Sequence, residues 1–500
     1  MAATRRVLII GSGFGGLGLA IRLQRAGIES FTILEQAATL GGTWRDNTYP
    51  GAACDVPSIL YCLSSEPKTD WTRQWSGQAE TLAYIEDCAR KNDLLRHVRF
   101  GVEVASARCD DATGTWTVRT TTGEEIVADV LVSSVGQLHR PSVPQVAGLE
   151  SFRGPTFHSA RWNHDVDLTG TRVGVIGNAA SAIQFIPEIA QQVEHLTIFQ
   201  RSANWMITRG DRPFLPWETW VLTNVPGAFR LYRAFLWARA ELLLYPVMRR
   251  QPMLAQLYTK WARVNLETNV VDPALRAQLT PDYPIGGKRI LIADDFYPSL
   301  NRPNVELVTS PIDHVTEDAI VTADGGAHPV DTIIFATGFR TNPFLAPMKI
   351  AGLDGRSLDV DWSPGARAYY GLTMTGYPNF FMLYGPNTNL GHNSIIFMLE
   401  CQIAYVMDAI QWLIADDLKL IDVKPAVMEA FNEQLQRDLT GTSWAAAPES
   451  WYKDAGRITN NWPYSTLHYW RHTRAMVHAE YRAERRSAES SGDIAARSAA

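Results

Sequence analysis

Cysteine is scarce in this sequence: five in 500 residues (Cys54, Cys62, Cys88, Cys109, Cys401), an odd number, without a CxxC pair and without histidines at metal-ligand spacing. That argues against a disulfide framework, a dithiol reductase centre and a structural zinc site, and no metal is expected; it fits a reducing cytoplasm. Neither charge sign dominates, with 46 basic against 52 acidic residues and a net charge of −6. The cations are dispersed, so no nucleic-acid footprint is expected and a small molecule is the default partner. Repeats and low-complexity tracts are lacking. The apolar N-terminal stretch is interrupted by glycines, so no export signal is expected. The tail from about Arg482 is poor in large apolar residues and reads as disordered, 482–500.

What is present is a chain long enough, and apolar enough at 46%, to bury a core in each of two to four domains. Val7 to Ile10 is a short aliphatic run, followed at once by Gly11-Ser12-Gly13-Phe14-Gly15-Gly16 and then by a helical pattern over Leu17 to Ala26. This spacing predicts a strand, tight turn and helix: Gly11 for the turn, Gly13 for close approach of a pyrophosphate, Gly16 for helix-on-strand packing. The next strand, FTILE, ends in Glu35, at the distance where an acid holds the ribose hydroxyls of an adenine dinucleotide.

A second unit begins at Arg172. Its strand runs to Ile176, its turn is Gly177-Asn178-Ala179-Ala180-Ser181-Ala182, its helix covers Ile183 to Gln192 and the next strand Leu196 to Phe199. Ala179 stands where the second glycine belongs, which would hold a pyrophosphate farther from the backbone. After the strand comes Gln200-Arg201-Ser202 instead of an acid, a cation and hydroxyl suited to a 2'-phosphate, so NADPH is expected over NADH. A βαβ unit without ligand is the competing reading of this segment alone.

Between and after these units lie segments that periodicity leaves unexplained. Phe152 to Asn163, FRGPTFHSARWN, repeats at neither two nor 3.6 and predicts no strand or helix. It carries Phe152, Gly154, His158 and Trp162 at the spacing F-x-G-x-x-x-H-x-x-x-W, with Asn163 where Pro or Asp is usual. Gly41, Gly42, Trp44, Tyr49, Pro50, Gly51 and Asp55 form a second pattern. With these two patterns and the segments PIGGKRILIADDFYPSLNRPNVELV, FATGF, YGPNTNLGHNS and SWYKDAGRITNNWP, the chain resembles the class B flavoprotein monooxygenases. Within that class it resembles the type I Baeyer-Villiger monooxygenases, nearest the 4-hydroxyacetophenone monooxygenase branch. The likeness runs over almost the whole chain and is weakest from about Trp217 to Asn265.

The resemblance implies an α/β fold of two Rossmann-like dinucleotide-binding domains, the NADPH domain inserted in the FAD domain, plus a helical insert. It divides the chain into FAD-domain parts 1–140 and 341–481, NADPH-domain parts 141–208 and 285–340, and an insert 209–284. Ser133-Ser134-Val135-Gly136 and Ala336-Thr337-Gly338-Phe339 would be the two crossings, with Phe152 to Asn163 a hinge whose His158 and Trp162 report cofactor state. FAD contacts are implied at Gly11, Gly13, Phe14, Gly16, Glu35, Gly42, Trp44, Asp55 and Tyr61, and NADPH contacts at Gly177, Asn178, Ala179, Ala180, Ser181, Arg201, Ser202 and Lys288. The implied chemistry is reduction of FAD by NADPH, capture of O2 as a C4a-peroxyflavin, and attack on a ketone to give an ester or lactone. Arg289 would be the fixed cation beside the reacting oxygen, and Asp55 would aim it. Two alternatives stay open: oxygenation of sulfur or amine nitrogen, and a flavin-binding NADPH oxidase or scaffold that no longer oxygenates.

The insert includes FRLYRAFLWARAELLLYPVM, Phe229 to Met248, whose Arg230, Arg233, Arg239 and Glu241 exclude an ordinary transmembrane span. A helical layer on the NADPH domain and an amphipathic helix lying on a membrane surface both remain open. Oligomeric state is not legible.

Overall fold

The structure, a computed structural model, describes residues 5–447 and 452–486. Its organisation follows from a few short apolar runs. Val7–Ile10, Val130–Ser133 and Thr332–Phe335 are buried at every position, as strands covered on both faces must be, and each takes a central place in a parallel sheet.

The first sheet is fully parallel, with strands in the order Phe380–Met382, Val130–Ser133, Val7–Ile10, Phe31–Glu35, Val98–Phe100. The second repeats the plan with Val305–Val308, His195–Phe199, Arg172–Ile176, Thr332–Phe335 and Thr156–His158. In both, the strand order reverses beside the strand that opens the unit. That switch point leaves a crevice at the carboxyl ends of the strands, where open α/β sheets bind ligands. The fold is thus α/β with two Rossmann-like units. The helix Phe14–Arg25 follows the first glycine turn and Ala182–Ile189 the second. Between strands Met206–Ile207 and Leu291–Ile292, which pair with each other, the chain makes the helices Pro216–Asn224, Ala228–Leu243, Tyr245–Met248, Pro252–Asn269 and Pro273–Gln278.

Two readings are corrected. Phe152 to Asn163 does contain a strand, Thr156–His158, paired in parallel with Ile333–Phe335 at the edge of the second sheet. Three residues bonded on one side are too few to show a period, and Pro155 before them suits an edge. The tail expected to be disordered from Arg482 instead begins with the strand Tyr481–Arg485, antiparallel to Leu418–Val423. Tyr481 is buried with its hydroxyl 2.5 Å from that of Tyr405, and Arg486 pairs with Asp129 at 2.9 Å. These partners lie more than 55 residues away, which local composition does not reveal. Residues 487–500, and Ser450 and Trp451 of a segment quoted above, lie outside the described residues.

Among the described residues one helix, Ile395–Ala415, is long and apolar enough to cross a membrane by length and composition. It packs on Phe14–Arg25 and Thr466–Thr473, and 61% of its most apolar window is buried.

Candidate active site between two dinucleotide crevices

The six residues of the first turn divide the work. Gly11 has φ +102°, and a Cβ on it would lie 2.5 Å from the carbonyl oxygen of Ser134, so backbone meets backbone across the switch point. A Cβ at Gly16 would lie 2.0 Å from the Gly11 oxygen, so this glycine serves packing of helix on turn. Gly13 differs: a Cβ there would meet nothing within 4 Å, and the Cα of Gly13 lies 3.5 Å from where Gly42 would carry its own Cβ. A groove floored by bare backbone at a helix N-terminus is what a pyrophosphate requires, so the residues present fit the adenine dinucleotide that the pattern implies. Phe14 and Tyr61 meet edge to face at 5.2 Å, and the Trp44 indole donates to the Tyr61 hydroxyl at 3.2 Å, gathering these implied FAD contacts around the groove.

Glu35 lies beside the turn, 4% exposed. Its carboxylate accepts from the Ser12 amide (3.0 Å) and hydroxyl (2.7 Å), the Ala37 amide (3.0 Å) and the Arg45 guanidinium (3.0 Å). Four donors use about the full capacity of a carboxylate, so a ribose diol would share or displace Arg45. The sequence reading did not weigh this arginine, although Arg45 directly follows Trp44.

The second turn repeats the first. Gly177 has φ +107°, and its Cβ would lie 2.5 Å from the Ala336 oxygen, as Gly11 relates to Ser134. Ala179 is exposed and Ala180 half-buried, and the regular helix starts only at Ala182. Asn178 donates to the Gln200 side chain (2.5 Å) and the Ser202 carbonyl (3.2 Å), tying the turn to the end of the neighbouring strand. Ser181 lies 3.1 Å from Ser159, hydroxyl to hydroxyl. Lys288 donates to the Ser202 hydroxyl at 2.7 Å and sits over the Tyr283 ring. Burial and then the nearby Arg201 push its pKa below the usual lysine value. Two cations held this close favour an anion between them, so Arg201, Ser202 and Lys288 fit a phosphate.

Arg289 comes next in the chain, just ahead of the strand Leu291–Ile292. Lys288, at a bend, reaches Ser202, whereas Arg289 reaches Asp55, 2.6 Å from nitrogen to oxygen. The pair joins residues 234 positions apart. Asp55 first of all raises the pKa of Arg289, and the phenols of Tyr452 and Tyr384 stand near it as well. Although enclosed by protein, Arg289 keeps 42% and Asp55 30% of its side chain accessible: the pair lines an internal cleft. A cavity of about 160 Å³ lies between Pro57 and Ile59, just past Asp55, and Tyr232 and Leu236 of the helix Ala228–Leu243. Tyr384 follows the strand Phe380–Met382 at φ +65° and donates to Asn389 at 2.8 Å; its place at a carboxyl strand end is the signal that could have singled it out.

The segment Phe152 to Asn163 is tied into the second unit. Gly154 has room for no Cβ, which would lie 2.1 Å from the Asp331 oxygen, and the Phe152 ring covers it. Trp162 packs 5.2 Å from both Phe157 and Phe185. His158 is buried; its Nδ1 accepts from the Ala160 amide at 3.1 Å, and the ring stands beside the Gly338 backbone. Burial lowers the pKa of His158, which keeps the ring neutral. The chain just past the first expected crossing runs beside the second: the Ser142 amide bonds Gly338 (2.9 Å), and the Arg340 amide bonds Arg140 (2.9 Å). Gln184, which the sequence reading missed, bridges the two units from the helix Ala182–Ile189. It accepts from the Tyr49 hydroxyl at 2.9 Å and donates to the Ala53 carbonyl at 3.0 Å.

A chain with two such crevices and a paired cation between them is a flavin-type oxygenase in outline, and it matches the Flavin-binding monooxygenase-like family over residues 4–352, to which it belongs. Within that family it belongs with the Baeyer-Villiger monooxygenases. It is 43% identical over 479 residues to the Baeyer-Villiger monooxygenase of Streptomyces coelicolor, covering 95% of this chain and 92% of that protein. Among solved structures it is similar to an oxidized steroid monooxygenase bound to NADP, with TM-score 0.87 and 33% identity over 97% of this chain and all of the other. It is also similar to an OTEMO complex with FAD and NADP, with TM-score 0.85 and 26% identity over 97% of this chain and all of that one.

Proposed function

We infer that the protein is an FAD- and NADPH-dependent Baeyer-Villiger monooxygenase, inserting one oxygen atom of O2 beside the carbonyl of a small ketone to give an ester or lactone. The observation that carries the reading is the division of labour between adjacent residues: Lys288 turned to the cation cluster beside the second crevice, and Arg289 turned to Asp55 in the cleft.

Bound FAD, reduced by NADPH, supplies the activated oxygen; the chain supplies position and charge. Gly13 and Gly42 admit the pyrophosphate of FAD, Phe14, Trp44 and Tyr61 wall its site, Gly11 and Gly16 hold the turn, and Glu35 takes the ribose. Gly177, Asn178, Ala179, Ala180 and Ser181 form the turn for NADPH, with Arg201, Ser202 and Lys288 on its 2'-phosphate. Arg289 stays protonated throughout, holding a positive charge where the attacking oxygen and then the carbonyl oxygen become negative. Asp55 restrains that charge to one direction. Residues 1–140 and 341–481 form the FAD domain, 141–208 and 285–340 the NADPH domain and 209–284 an insert. His158, buried on the edge strand against Gly338, couples the domains with Trp162. A cytoplasmic setting is part of the reading, supported by five cysteines that are all free and buried.

The test is incubation with NADPH and a panel of ketones and sulfides, with products identified. Ester formation from a ketone supports the reading. Sulfoxide without ester, or hydrogen peroxide alone, rejects it.

A further inference from the structure

Of the twenty large apolar side chains that stand exposed among the described residues, thirteen fall between Leu215 and Val271. They are ordered. On the helix Ala228–Leu243, Leu231 (73% exposed), Phe235 (58%) and Leu242 (69%) share one outward stripe, while Leu236 and Glu241 are buried. The helix Pro252–Asn269 shows three sectors at about 100° per residue. Tyr258, Ala262, Asn265 and Leu266 are buried. Met253, Leu257, Trp261 and Val264 form an exposed apolar sector. Lys260, Arg263 and Glu267 lie in a third sector next to it, along a cleft of about 520 Å³ that Arg250 also lines. On the helix Pro216–Asn224, Trp217 and Trp220 add two indoles more than 60% exposed.

The charge runs against that of the chain. Residues 215–271 hold seven basic and three acidic side chains, net +4, in a protein of net charge −6. Two of the acids are engaged, Glu218 with Arg212 and Glu241 with Asn393 and Thr466. Arg230, Arg239, Arg250, Lys260 and Arg263 are exposed and make no ion pair among the described residues. An outward apolar stripe bordered by unpaired cations, with tryptophans on it, matches the interface of an anionic bilayer. It does not match a second copy, since a two-fold contact would set one net-positive face against another.

We propose that the outward face of the helices between Leu215 and Val271 docks on the surface of an anionic lipid membrane, the apolar stripes entering the headgroup boundary and the Arg250, Lys260 and Arg263 cluster meeting lipid phosphate. The helices lie in the surface and do not cross it. The inference is independent of the assigned reaction, and its readout needs no turnover.

The experiment is sedimentation of the full chain, loaded with FAD, with vesicles of phosphatidylcholine alone or with about one third phosphatidylglycerol. Binding to the anionic vesicles is expected at low salt, to fall as salt rises and to be weak on phosphatidylcholine. R250Q/K260Q/R263Q should weaken it roughly a hundredfold at low salt, and L242S/L257S should weaken it at every salt concentration. Flavin content and melting temperature should be unchanged in both variants, which reports an intact fold. Equal binding to both vesicles, no binding to either, or full binding by both variants overturns the proposal. So does a wild-type dimer in analytical ultracentrifugation that L242S/L257S converts to monomer, which would make the face a contact between copies.

Discussion

Replacing Arg289 separates charge from architecture. Its pair with Asp55 is 2.6 Å long, but both side chains keep about a third or more of their surface accessible. Such a pair adds no more than about 1 kcal/mol to stability, so Arg289→Ala should fold and hold FAD. What it loses is a fixed donor where negative charge develops, a contact worth roughly 2.7 to 4 kcal/mol, or a hundred- to thousandfold in rate. Arg289→Lys should not rescue it, since a point charge on a shorter stem cannot bond Asp55 and the reacting oxygen with one planar fork. Asp55→Asn keeps the cation but not its aim, and on the order of tenfold should be lost. Because Asp55 acts through Arg289, the double variant should be no slower than Arg289→Ala alone. Stopped-flow measurement of flavin reduction, with ester and hydrogen peroxide quantified in the same reaction, reads all four variants. Ester formation by Arg289→Ala within tenfold of wild type would refute the role of Arg289. Losses that multiply in the double variant would refute the positioning role of Asp55.

Other outcomes are expected on the same grounds. Lys288→Ala should weaken NADPH by about 1.5 to 3 kcal/mol, the value of a charged hydrogen bond, with NADH little affected; inhibition constants for the oxidised cofactors measure it, and equal losses for both would count against a 2'-phosphate site. Gly13→Ala has room for its methyl and should fold but lose FAD, whereas Gly16→Ala, placing Cβ 2.0 Å from a carbonyl oxygen, should fail to fold; flavin content and melting temperature separate the two. His158→Ala should keep FAD and release more hydrogen peroxide per NADPH consumed, and unchanged coupling would remove His158 from any role between domains. Burial raises the Asp422 carboxyl to about 6 against an ordinary 3.8. The folded state then binds a proton that the unfolded state releases between those values, so this group's contribution is full below about pH 4 and lost as pH rises through 6. Asp422→Asn should therefore gain stability relative to wild type on going from pH 4 to 7.5, by about 3 kcal/mol at most; denaturant titrations at the two pH values check the sign.

The two glycine turns were legible because each puts several constraints into six consecutive residues, and an apolar run buried on both faces announces a central parallel strand. What stayed hidden depends on partners distant in sequence. Thr156–His158 becomes a strand only because Thr332–Phe335 lies beside it. Tyr481–Arg485 is charged at three of its five positions and alternates too weakly to reveal its pairing with Leu418–Val423. Gln184 looks like any polar residue on a helix until Tyr49 and Ala53 arrive from the other unit. Arg45 was masked for the same reason, its salt bridge to Glu35 being a property of the folded turn. In the insert, periodicity marks helices but cannot tell an apolar stripe that is covered from one that is not, so Leu236 and Leu242 read alike.

The central claim is that this chain transfers one atom of molecular oxygen to a ketone, and labelled oxygen tests it most directly. Turnover of a ketone with NADPH under 18O2, followed by mass spectrometry, should give an ester or lactone carrying a single 18O in the newly formed C–O–C linkage, with the carbonyl oxygen unlabelled and one NADPH consumed per ester. NADPH oxidation that yields only labelled hydrogen peroxide, or oxygenation confined to sulfides and amines, would contradict the account.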